Sequence, residues 1–355
     1  MNHILAQKKK RIRNIVIILA LLLAVIAVGI SCLFVGSSNL SFTDALDALL
    51  GKGNTAQSRI IWKIRVPRVL AAIIAGAGLS VSGLVMQTTL NNGMASPSTL
   101  GVSNAAVFGA NLSIIAFAGG FLSTGNHLSS FDAGANPYAT SVLAFGFSAL
   151  SVLLILGLCT FRSFSPNVVV LAGIAIGAVW TAATTVLQFY ATDVGLSAAV
   201  VWSFGDLGRA TYRTDGIMAA VVIGGLIYFL LMSWKYNALL SGEATAKTMG
   251  IHVESLRFIS LLLASLITAA CVSFLGVIGF VGVICPHITK RILGQDHRVT
   301  LPVSCLSGSL LLLLADTLAR SLGSGSALPV GAITSLLGAP FFIAILFGRK
   351  EKHGC

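Results

Sequence analysis

Long apolar runs, each sized to cross a lipid bilayer and joined by short polar links, leave this chain one kind of fold. Ile12 to Phe34 carries a single charged side chain, Arg13. About 20 such residues in a helix span the hydrocarbon core. Comparable runs recur at roughly 64–89, 98–118, 136–161, 166–191, 213–234, 256–276, 279–293, 298–322 and 328–348, the eighth being the shortest. Only 10% of the 355 residues are charged, whereas a water-soluble domain carries about 25%. Too little polar surface exists to cover a soluble body. The expected fold is an all-α polytopic membrane protein of about ten transmembrane helices, a single domain over 1–355. The first run exceeds the apolar core of a cleaved signal peptide, so it reads as a retained helix.

Basic residues set the expected orientation. With an even number of spans both termini share a side, and 15 of the 23 Lys and Arg fall on it, among them Lys8, Lys9, Lys10, Arg11, Arg162, Arg349, Lys350 and Lys352. That side is expected to be the cytoplasm. The net charge of +12 therefore reports orientation and gives no reason to expect nucleic acid.

One stretch, Leu239 to Glu254, cannot be membrane helix. Glu243 and Lys247 stand four apart in the acid-first order that suits a helix, and Gly250 stands where a helix stops. This is a short wet helical surface on the cytoplasmic side, suited to docking something outside the membrane. The loops expected on the other side, 37–63, 119–135 and 192–212, are too short for a folded domain.

Glycine inside the runs, as at Gly76, Gly78 and Gly83, suits close helix packing. Broken backbone is expected where Gly and Pro cluster, at Asn91–Pro97 and at Phe280–His287. The six cysteines form no CxxC pair and read as small buried hydrophobes. No phosphate-binding GxxxxGK[ST], HExxH or GxSxG motif is present. His287 has no second ligand at helical spacing, so no metal site is expected there. Asp316 and Arg320, four apart near a helix end, can pair with each other. An ion-coupled carrier would want an unpaired carboxylate near the bilayer midplane, and the reading of the runs places none there. Arg65, Arg68 and Arg320 map to the outer surface, where spacing alone favours headgroup anchoring over contact with an external protein.

Arg65-Val-Pro-Arg68 with Gly76, Gly83 and Gln87 resembles the "RxPR…GxxxQ" signature of the permease subunits of iron-siderophore, haem and cobalamin ABC importers. Ordered matches follow at Asn92–Pro97 (Gly93 stands where the family pattern has Pro), Leu100–Ser103, Ser241–Gly250, Gly279–His287, Gly294–Arg298, Ala315–Arg320, Leu328–Gly331 and Gly338–Phe341. They run from about residue 60 to 348.

The resemblance implies a type II ABC importer permease domain in a bacterial plasma membrane, paired with a second copy or a paralogue. Two cytoplasmic ATPases and an extracytoplasmic substrate-binding protein would complete it. The chain itself would be no enzyme and hold no cofactor, ATP and magnesium staying on the ATPases. Ser241, Gly242, Glu243, Ala246, Lys247 and Gly250 are then the expected ATPase-coupling residues. Arg65, Arg68 and Arg320 become the expected contacts to the binding protein. Asn92 and Met94, with Ser165, Pro166 and Asn167, become the expected gate. The expected cargo is a ferric siderophore, with cobalamin or haem as alternatives. A secondary transporter is the rival of another class.

Overall fold

The apolar runs fold as helices that end where Gly, Pro or a capping side chain interrupts them. A computed structural model describes residues 2–36, 41–117, 137–161, 165–323 and 327–347. In order the helices are α1 (Asn2–Phe34), α2 (Phe42–Leu49), α3 (Thr55–Arg59), α4 (Val66–Thr89), α5 (Val102–Asn111), α6 (Pro137–Phe161), α7 (Pro166–Phe189), α8 (Asp193–Ser203), α9 (Tyr212–Leu231), α10 (Ser233–Leu240), α11 (Glu243–Thr248), α12 (Val253–Leu275), α13 (Val281–Leu293), α14 (His297–Leu322) and α15 (Val330–Phe347). A π-helical turn, Ile60–Arg65, fuses α3 to α4. The expected loop 119–135, Arg162 and the basic residues Arg349, Lys350 and Lys352 lie outside the described residues.

Among the described residues seven helices are long and apolar enough to cross a membrane unaided. The expected spans 98–118, 279–293 and 328–348 are shorter helices. The first of these is broken by Gly101, whose φ of +69° ends the 3-10 turn Pro97–Leu100. Three helices, α2, α3 and α8, lie in stretches read as loop. In α2, Ser41 and Asp44 form a capping box, and in α8 Thr192 caps the first turn.

Helix α4 is the axis of the bundle. Of its 24 residues 20 are buried, and α9, α12, α13 and α14 surround it. Small residues permit this. A Cβ on Gly76 would strike the Gly308 carbonyl of α14, and one on Gly83 would strike the Gly282 carbonyl of α13. Hydroxyls then bond across the contacts: Ser80 Oγ donates to Ser304 O (2.7 Å) and Ser309 Oγ to Ile73 O (2.8 Å). Gly83→Leu is expected to cost about 1–3 kcal/mol or more, because backbone and not a movable side chain is the obstacle. Gly83→Ala should cost less. The monodisperse fraction on gel filtration measures both.

The break expected at Phe280–His287 falls earlier. Residues 276–280 are irregular, with φ +78° at Gly276 and +66° at Phe280, while Pro286 lies inside α13. Pro286 has no N–H to offer the carbonyl four residues back. That carbonyl belongs to Gly282, the one packed against Gly83 of α4. Neighbouring backbone packs directly on the irregular segment: a Cβ on Gly276 would strike the Trp202 carbonyl, and one on Gly205 or Gly331 would strike the Val277 carbonyl. This is how non-helical chain survives at membrane depth. The other expected break, Asn91–Pro97, is irregular as read, with φ +45° at Asn91.

Candidate functional site

Three arginines meet at the N-terminal end of α4. Arg68 Nε lies 2.8 Å from Asp316 Oδ1, and Arg320 Nε lies 2.9 Å from Asp316 Oδ2. Arg68 Nη2 reaches towards the half-exposed Asp206, 3.7 Å away. Arg320 Nη1 donates to Cys32 O (3.0 Å) and Val35 O (2.6 Å), and Arg65 Nη1 to Leu33 O (2.6 Å). These carbonyls end α1, where a helix leaves acceptors unfilled and its dipole favours cations. The sequence reading put these arginines on an outer rim. They are only 4–8% exposed, facing each other and their own chain. One buried carboxylate thus serves two guanidiniums, and the third caps α1.

At the opposite end α10 and α11 form a short pair turned by Gly242 (φ +110°) and closed by Gly250 (φ +80°). Gly250 N bonds Lys247 O and Ile251 N bonds Ala246 O, which finishes α11 as a Schellman turn. Ala246 is buried, whereas Ser241, Gly242, Glu243, Lys247 and Met249 are exposed. Glu243 and Lys247 pair at 3.5 Å as their spacing predicts.

The stronger partner of Glu243 is one the sequence reading passed over. Arg257, 3% exposed, approaches Glu243 Oε2 at 3.2 Å and donates through Nε to Thr89 O (2.9 Å) at the end of α4. Partial burial alone would raise the Glu243 pKa. The bond and charge of Arg257 with the charge of Lys247 outweigh it and hold the carboxyl below its ordinary range. A second tie runs beside the first. The buried His297 ring joins Thr88 Oγ1 (2.8 Å) to Asn237 Oδ1 (3.0 Å) of α10. Asn237 in turn donates to Asp296 (2.8 Å). Both short helices are therefore fastened to the same last turn of α4.

A groove of about 710 Å³ lies between the 92–101 segment and α7. Asn92, Met94, Ser98, Asn104, Thr181 and Thr185 line it with Val170, Ile174, Gly and Ala, and no charged side chain does. Of the expected gate residues the structure brings Asn92 and Met94 onto this wall. Ser165, Pro166 and Asn167 are not on it: Ser165 caps α7 and the other two open its first turn.

Asp215, near the start of α9, is 3% exposed, and neither carboxylate oxygen has a hydrogen-bond partner among the described residues. A buried carboxyl without a donor costs stability, about 1–3 kcal/mol for an unmade bond. Asp215→Leu, of similar shape and without polar atoms, is expected to raise the thermal unfolding midpoint and leave transport intact. Loss of transport with a normal midpoint would give the carboxylate a part in the transport cycle.

The model of the FecCD transport family matches residues 9–348. The chain belongs to that family. As a FecCD member it is the permease of an ABC importer, a transport subunit with several membrane-spanning helices. An ABC transporter permease protein of Methanocaldococcus jannaschii is 46% identical, the match covering 97% of each chain. A hemin transport system permease of Yersinia pestis is 34% identical over 94% of this chain and 96% of its own. An iron(3+)-hydroxamate import permease of Bacillus subtilis is 32% identical over 96% and 98%. The fold is that of a solved structure described as a metal-chelate type ABC transporter in an inward-facing conformation, with TM-score 0.79 and 26% identity over 94% of this chain and 99% of the other.

Proposed function

We propose that this FecCD permease carries a ferric siderophore inward, driven by two separate ATPase subunits seated on the α10–α11 pair. The observation that carries the driving mechanism is the double fastening of that pair to α4. A push on α11 reaches the central helix through Arg257, and one on α10 reaches it through His297. ATP and magnesium then stay on the ATPases, and this chain makes and breaks no bonds. It contributes a pathway with two access states.

In this reading the α10–α11 end and both termini face the cytoplasm, and the Arg68 end faces the binding protein. Arg65, Arg68 and Arg320 hold the outer ends of α1, α4 and α14 in place for docking. Asn92 and Met94 narrow the pathway beside α7, and Ser165, Pro166 and Asn167 set where α7 begins. A second permease copy or paralogue supplies the facing wall. The uncharged groove suits a bulky chelate released by a binding protein, since it offers room and few strong contacts.

Haem is the second reading, favoured by the 34% identity to the hemin permease. Reconstitution with the cognate ATPase and binding protein in proteoliposomes tests both. Ferric hydroxamate is expected to stimulate ATP hydrolysis and to accumulate inside. Accumulation of haem or cobalamin alone would reassign the cargo, and uptake without ATP would end the ABC mechanism for this chain.

A further inference from the structure

Two cavities meet between α6, α8, α9 and α12 at the Arg68 end of the bundle, and their linings change character with depth. The upper, about 480 Å³, is lined by Thr140, Thr211 and Thr214 with Trp202 and Arg209. The lower, about 280 Å³, has Arg213 and Ser273 in its lining and is otherwise mostly apolar, with Val142, Phe145, Ile217 and Val221 on its walls and Ala270 of α12 behind them. Tyr138, Ser141 and Phe274 belong to both. Together they form one amphipathic slot.

Two cations stand at its mouth. Arg209 donates to Trp202 O (2.9 Å) and Val201 O (3.0 Å) and lies 5.7 Å from the Trp202 ring centroid. Arg213 is exposed, with its guanidinium 5.4 Å from the Tyr138 ring centroid. Neither forms an ion pair with a carboxylate among the described residues. The depth is also telling. Val221 lies eight residues below Arg213 on α9, about 12 Å along the axis, which is most of one leaflet of a core about 30 Å thick. The slot is thus cationic and hydroxyl-lined at headgroup level, then apolar along the direction of an acyl chain. Aromatic rings sit at the junction, where membrane proteins concentrate them.

We propose that this slot holds one phospholipid of the leaflet opposite the α10–α11 pair, its phosphate between Arg209 and Arg213 and one acyl chain between α6 and α9. The site is independent of the cargo and of the ATPase. It would lock the outer ends of α8 and α9 against α6.

Native mass spectrometry of the intact permease in nanodiscs containing phosphatidylglycerol tests it. The wild type should retain one lipid after release into mild detergent. Arg213→Gln should lower occupancy about fivefold, the ratio set by one interfacial arginine, and Arg213→Lys should keep most of it. Val142→Trp, which fills the apolar chamber and leaves both arginines in place, should also displace the lipid. Equal retention by wild type, Arg213→Gln and Val142→Trp overturns the proposal. So does displacement by inorganic phosphate at millimolar concentration, the mark of a soluble-anion site, and so does a cross-link from Val142→Cys to a second protein chain.

Discussion

Asp316→Ala is expected to abolish recovery of folded protein. The substitution leaves the guanidiniums of Arg68 and Arg320, at most 8% exposed, facing each other with no carboxylate between them. Removing one partner of a buried ion pair costs about 3–5 kcal/mol, a large part of a folding margin of about 5–15 kcal/mol. Asp316→Asn keeps an acceptor oxygen and should lose less. Replacing the whole cluster (Arg68→Met, Asp316→Leu, Arg320→Met) should recover part of the loss, since apolar substitutes for buried pairs are often tolerated. Recovery should stay incomplete because Arg320 also caps α1 through Cys32 O and Val35 O. Gel-filtration profile and unfolding midpoint read the series; an Asp316→Ala protein as stable as the wild type would remove the network from the fold.

The same burial changes how docking is to be probed. On the proposed orientation, reversing Arg65 and Arg68 would disrupt the buried arginine cluster and the proposed docking face together, so lost docking would say nothing about direct contact. Arg68→Lys keeps the charge and gives up the forked geometry that serves Asp316 and Asp206. It separates a charge requirement from a positional one.

How much was legible follows from what each feature depends on. Apolar length alone marks a span, so the runs at 64–89, 166–191 and 298–322 became α4, α7 and α14 with ends shifted by a few residues. Helical spacing alone pairs Glu243 with Lys247, and Gly250 stops α11 because its φ is positive. Breaks were harder. Pro286 marked the right neighbourhood but the wrong residues, because a packing contact uses the carbonyl that a proline frees. Pairings between distant elements were not legible at all. Arg68 and Asp316 are 248 residues apart, and Arg257 meets Thr89 across 168. Local sequence marks Arg257 as no more than another basic residue, since nothing in it says that the start of α12 lies beside the last turn of α4.

That missed arginine carries the other large effect. On the proposed mechanism, Arg257→Ala is expected to cut uptake per ATP hydrolysed by about tenfold or more, the equivalent of losing a charged hydrogen bond of about 1.5–3 kcal/mol. ATPase assembly and basal hydrolysis should persist, because Arg257 is buried and the exposed face of α11 is unchanged. Lys247→Ala should cost about twofold at most. Its pair with Glu243 is solvated on both sides (55% and 43% exposed), where such pairs are worth about 0.3–0.5 kcal/mol. Glu243→Ala with Arg257→Ala should be less damaging than the sum of the two, since each alone leaves the other unpartnered. The pH response has a definite sign. A Glu243 pKa held below its ordinary range keeps the carboxylate charged at neutral and mildly acid pH, and the tie is lost only as pH falls through that lowered value. Coupling in proteoliposomes should therefore be flat from neutral pH down to the ordinary carboxylate range. If Lys247→Ala were as harmful as Arg257→Ala, or if uptake and hydrolysis fell in proportion, the link from α11 to α4 would not be the route of the driving motion.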